Sequence, residues 1–149
     1  MKNLFETSSV DEIETRLQRL APDSERQWGQ MEVAQMLAHC SAWMDIAAGQ
    51  SRPARSLLGR LVGRFAKSSI LSDQPPARNM PTMKSLVVND ARDFSTEKRD
   101  LLSRIHRFAE GGAEQCTRHP HSFFGRLSPD EWAILGYKHL DHHLRQFGA

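Results

Sequence analysis

The chain has 149 residues, 39% of them hydrophobic and 26% charged, which is enough for one buried core and excludes disorder along its whole length. Lys+Arg 20 against Asp+Glu 18 leaves a net charge of +2, too small for a dedicated nucleic-acid binder, and no apolar run approaches the ~18 residues of a membrane span. The opening MKNLFETSSVDEIE carries acids where a signal peptide needs an apolar stretch, and the two cysteines, Cys40 and Cys116, form no CxxC pair. The expectation is a soluble, cytoplasmic protein with one domain over residues 1–149.

Hydrophobic periodicity predicts four long helices. The first opens at Ser9, where a capping box with Glu12 is expected; it carries Ile13, Leu17 and Leu20 and closes at Pro22. The second runs from about Met31 to Ala48, with Val33, Met36, Leu37, Cys40, Trp43, Met44 and Ala47 on one face, and Gly49 ends it. Cys40 points into that stripe and reads as core packing. A basic helical segment follows from about Arg52 to Lys67. Its charges are Arg52, Arg55, Arg60, Arg64 and Lys67, and its apolar side is Leu57, Leu58, Leu61, Val62 and Phe65. The expected arrangement is a helix covering the bundle with charges outward; a membrane-surface contact, a dimer contact or a lid also fits the pattern.

Ser68 to Arg92, with Pro75, Pro76 and Pro81, reads as a long crossover loop with one brief extended stretch at Ser85 to Val88. The third long helix starts near Ser95, carries Leu101, Leu102, Ile105, Phe108 and Ala109, and stops at Gly111 and Gly112. His106 lies off its apolar stripe and is expected at the surface. In the loop that follows, Phe123 and Phe124 read as anchors, with His119 and His121 solvated; the alternative puts one of these histidines at the mouth of a metal pocket. Ser128, Pro129 and Glu131 then form the best helix-start signal in the chain, and the last helix runs to about Phe147 with Trp132 in the core. Together these elements predict an all-α fold, a four-helix bundle with a long crossover between helices 2 and 3.

Histidine is the compositional outlier: seven residues, with His139, His142 and His143 close together on the last helix. There Ala133, Tyr137, Leu140, Leu144 and Phe147 define the inward stripe. His139 and His143 lie one turn apart on its edge, while His142 points nearly opposite, beside Lys138, toward solvent. An i,i+4 histidine pair can converge on one metal ion. It also serves as surface chemistry or a buried polar pair. A third ligand must come from another helix, and His39 on the second helix is the candidate. Three histidines would leave coordination positions open, as catalytic sites do.

RQWGQMEVAQMLAHC, the stretch around PARNMPT, and HSFFGRLSPDEWAILGYKHLDHHLRQFG together resemble a domain-of-unknown-function branch of the DinB/YfiT-like superfamily, from about Arg26 onward. The resemblance implies an up-down-down-up four-helix bundle whose histidine triad binds a divalent metal, one histidine on the second helix and two as HxxxH on the fourth. The triad falls on His39, His139 and His143. Gln146 matches the glutamine of the HHRGQ ending of many members, whereas Leu144 and Arg145 depart from it.

The resemblance further implies a metal-dependent enzyme, with Zn²⁺ or Ni²⁺ as the ion and a low-molecular-weight thiol transferred to a small-molecule electrophile. A hydrolase is the alternative, although the chain has no HExxH to supply a general base. A non-catalytic helical module acting through the basic segment, or as a homodimer, is the rival from another class.

Overall fold

The computed structural model describes residues 1–149 apart from Asp73 and Pro81 and the side chains of Arg64, Ser69 and Ile70. The expectations for Pro81 and for the side chain of Arg64 lie outside the described residues. Within them the chain is all-helical: α1 Thr7–Gln18, α2 Val33–Ala47, α3 Leu57–Ile70, α4 Phe94–Gln115 and α5 Pro129–Gln146, with a 3₁₀ turn at Lys84–Leu86. Among the described residues, extended pairing is limited to an isolated bridge between His121 and Gly125.

The predicted apolar stripes of α1, α2, α4 and α5 close on one another. α2 packs against α4 and α5, α1 packs against the same two helices, and α4 also meets α5. Ile13 and Leu17 of α1, Met36, Leu37 and Met44 of α2, Leu101 and Ile105 of α4, and Trp132, Leu140 and Leu144 of α5 are all fully buried. Burial of each such side chain favours folding by roughly 1.5–3 kcal/mol relative to leaving it exposed. Cys40 sits in this core with its Sγ 3.7 Å from Met36 Sδ, and burial pushes its thiol far above the ordinary range. It is a packing residue.

Helix starts follow the capping rules unevenly. Ser128 accepts from the Glu131 amide, and the Glu131 carboxylate accepts from the Ser128 amide at 2.8 Å, so the capping box of α5 is complete. The box expected at Ser9 is absent. Glu6 is the N-cap of α1, Ser9 lies inside the helix and donates to Glu6, and Glu12 accepts from Tyr137 instead. The residues before the helix explain the shift: Leu4 is wholly buried and its amide donates to the Ala133 carbonyl, which fixes the chain upstream of the expected start. A box that the sequence reading did not identify, Glu32 with Gln35, starts α2.

The crossover differs from expectation as well. Ser85 and Leu86 belong to the 3₁₀ turn Lys84–Leu86 rather than to an extended stretch; the backbone becomes extended only at Val87, and Leu86 is buried on α2. α3 begins at Leu57 rather than Arg52, and it turns its apolar side outward: Leu57, Leu61 and Phe65 are exposed. Its inward face is made of Gly59 and Gly63. A Cβ at Gly63 would stand 1.9 Å from the Phe123 carbonyl oxygen, so only glycine lets this helix lie on the 116–128 loop. α4 breaks at Gly112, which takes φ 57°, before one further turn.

Candidate metal centre

The three histidines chosen from sequence come from separated parts of the chain and meet in the core. His39 lies mid-way along α2, and His139 and His143 lie one turn apart on α5. One ring nitrogen of each lies within 4.8 Å of those of the other two, a group that could hold a metal ion. The ring centroids stand 5.0 Å apart for His39–His139, 4.7 Å for His39–His143 and 4.7 Å for His139–His143. Trp43, one turn after His39, stacks on His139 at 5.1 Å and forms an apolar wall beside the cluster.

Hydrogen bonds fix which nitrogen points inward. His39 Nδ1–H donates to the Leu86 carbonyl at 2.8 Å, so the 3₁₀ turn of the crossover holds the α2 ligand candidate and leaves its Nε2 lone pair available. On α5, the Gln146 Nε2 donates to the Trp28 carbonyl at 2.8 Å, which sets the direction of the amide; its Oε1 then accepts from His143 Nδ1–H at 2.8 Å. The His143 Nε2 is likewise left available. Gly29, at φ +78°, makes that approach feasible: a Cβ there would stand 2.6 Å from Gln146 Nε2. His139 supplies the third observation. Its Nε2 is buried and has no hydrogen-bond partner among the described residues. An orphaned imidazole nitrogen between two others with free lone pairs is what a missing cation would explain.

The electrostatics agree. Burial holds His39 below its ordinary value, against the opposing Leu86 hydrogen bond, and burial with the neighbouring imidazoles puts His139 well below. His143 is pushed down to about 3, chiefly by burial. All three are therefore neutral near pH 7, the form that ligates a metal.

A family model described as a protein of unknown function, DUF1569, matches residues 2–149. The chain belongs to this family. No curated protein and no solved structure matches the chain.

Two of the other histidines, His142 and His121, are more enclosed than expected. His142 is half-buried rather than fully solvated: it lies edge-on to Trp28 at 5.6 Å and to His143 at 5.1 Å, and burial holds it below its ordinary value. Beside it, Lys138 is buried and donates to the carbonyls of Ser72 and Gln74. The residues that cover this side of α5 are irregular chain, which helical periodicity does not foresee.

His121 is buried too, and it organises its loop. Its Nδ1 accepts from the amides of Phe123 at 3.1 Å and Phe124 at 3.2 Å, and its ring stacks on Phe124 at 4.7 Å. Burial, with Arg55 nearby, lowers it to about 4. His119 is half-buried, its Nε2 3.4 Å from the Pro53 carbonyl oxygen. His106 is partly exposed, 3.3 Å from Glu14. Trp132 is in the core, as expected. Two open clefts, one between the 22–26 turn and Phe147 and one around Gly49 and His119, contain no member of the triad.

Sequence reasoning missed the Leu86 carbonyl and Trp28. The glycine after Trp28 was the available signal, a residue suited to positive φ just before a helix. The Leu86 contact had no local signal, since a backbone carbonyl donates nothing to a pattern of side chains.

Proposed function

We propose that this protein holds a divalent metal ion at His39, His139 and His143 and is a metal-dependent enzyme of the thiol-transferase type. The observation that carries the metal reading is the buried, unpartnered Nε2 of His139 beside two histidines whose Nδ1 atoms are already committed. Zn²⁺ and Ni²⁺ suit an all-imidazole donor set. The wider reading is that α1, α2, α4 and α5 form an up-down-down-up bundle of the DinB-like kind, with the site between its second and fourth long helices.

In this reading the chain's own residues do three things. His39, His139 and His143 bind the ion through neutral imidazoles. Leu86 and Gln146 orient two of those rings. Trp43 and the surrounding core exclude water from one side of the site. Among the described residues no carboxylate joins the three histidines in the cluster, which leaves coordination positions for a small molecule. When bound, the ion supplies Lewis acidity, which keeps a coordinating thiol in its nucleophilic thiolate form at neutral pH.

Proton counting tests the thiol reading. The metal-loaded protein is titrated with a small thiol by calorimetry in buffers of different ionisation enthalpy. Release of about one proton per thiol bound near neutral pH is expected, because a free thiol has a pKa of about 8.5. Binding without proton release removes the thiolate mechanism and favours a hydrolase that uses the same ion to acidify water.

A further inference from the structure

α3 presents its apolar side to solvent and its glycines to the protein. Leu57, Leu58, Leu61, Val62 and Phe65 are 78%, 61%, 73%, 42% and 65% exposed. At ~100° per residue these five fill one arc about 140° wide, Gly59 and Gly63 lie on the opposite side, and Arg60 and Lys67 fall on one flank. The inward side is already occupied, since the Phe123 backbone would meet a Cβ at either glycine. From Arg52 to Ser72 the chain has five basic residues and no acidic one. Glu131 pairs with Lys67 at 2.6 Å and Arg55 turns inward to donate to the Gly59 carbonyl at 3.0 Å, so Arg52 and Arg60 are the described cations most exposed to solvent and the segment stays positive.

An exposed apolar face of this size marks an interaction surface. We propose that α3 docks on a membrane surface that carries anionic lipids, with its apolar arc in the acyl boundary and its basic flank among the headgroups. The charge selects this occupant. A second copy docked through the same arc would bring two net-positive segments together. An anionic bilayer satisfies the apolar arc and the basic flank at once. The helix must lie along the surface: its 14 residues reach only ~21 Å, short of the ~30 Å hydrocarbon core. No helix among the described residues is long and apolar enough to cross a membrane. This inference is independent of the metal centre.

Vesicle flotation with the full chain tests it. The protein is expected to float with vesicles of mixed phosphatidylcholine and phosphatidylglycerol, to float far less with phosphatidylcholine alone, and to be released by high salt. Leu57→Glu with Leu61→Glu should weaken partitioning about tenfold or more while helicity by circular dichroism is unchanged, since both side chains lie outside the core. Should that pair fail to fold, Arg52→Glu with Arg60→Glu should abolish the preference for anionic vesicles. Failure of the wild-type protein to float with anionic vesicles overturns the proposal. So does flotation unaffected by the folded variants, or a dimer in sedimentation velocity that the leucine variants dissociate.

Discussion

Replacing Gln146 with leucine removes the acceptor for His143 Nδ1–H and the tie to the Trp28 carbonyl, while leaving all three histidines in place. Loss of such an outer partner typically costs 10–100-fold in metal affinity. Gln146→Leu should therefore weaken Zn²⁺ binding by about that range in a competition titration, with helicity retained; unchanged affinity would mean that the amide does not set the ring. His121 offers a separate test by pH. Its folded value of about 4 lies below the ordinary 6.5, so between these values the unfolded chain binds a proton that the folded chain does not. Stability from this group is therefore complete above about pH 6.5 and is lost as pH falls toward 4. His121→Asn keeps an acceptor for the two loop amides and removes the titration. In urea unfolding with chelator present, the wild type should lose about 2–3 kcal/mol more than this variant between pH 7 and pH 4.5. Equal losses would show that His121 does not titrate in this window.

Among the elements, α3 has the least ordinary packing, and one substitution tests it. On helix propensity alone, Gly63→Ala stabilises a helix by up to ~1 kcal/mol. Here the added methyl would collide with the Phe123 carbonyl, and overpacking of that kind costs roughly 1–3 kcal/mol. A net loss of stability, with faster amide exchange in the 116–128 loop, is expected; a stabilised protein would mean that α3 does not lie on that loop. The same helix shows where sequence reading stops. Its period was legible, but a period identifies a face without saying which way it turns, and the glycine pair was the overlooked sign. The start of α5 was legible because its capping box is local. The start of α1 was not, because Leu4 and its bond to Ala133, a long-range contact, decide it. His39, His139 and His143 were legible because each lies on a long regular helix. His121 lies in a loop, and His142 and Lys138 face irregular chain, and such chain has no period to read.

Across the whole molecule, the centre depends on distant parts of the chain acting together. The core of α1, α2, α4 and α5 brings α2 against α5, the crossover turn holds His39 through Leu86, and the segment before α2 holds His143 through Trp28 and Gln146. Arg16 of α1 adds a further tie to α5, pairing with Asp141 at 2.7 Å two residues before His143. The core shared by α1, α2, α4 and α5 is expected to let the chain fold without an ion, so metal binding is measured on the folded apoprotein. The most direct measurement is calorimetric titration of that apoprotein, purified without a histidine tag, with Zn²⁺ and with Ni²⁺ near pH 7.5. One ion per chain should bind, His39→Ala, His139→Ala and His143→Ala should each remove most of the affinity, and His142→Ala should retain it. No binding by the folded wild-type chain, or binding that survives His139→Ala and is lost in His142→Ala, would contradict the three-histidine centre.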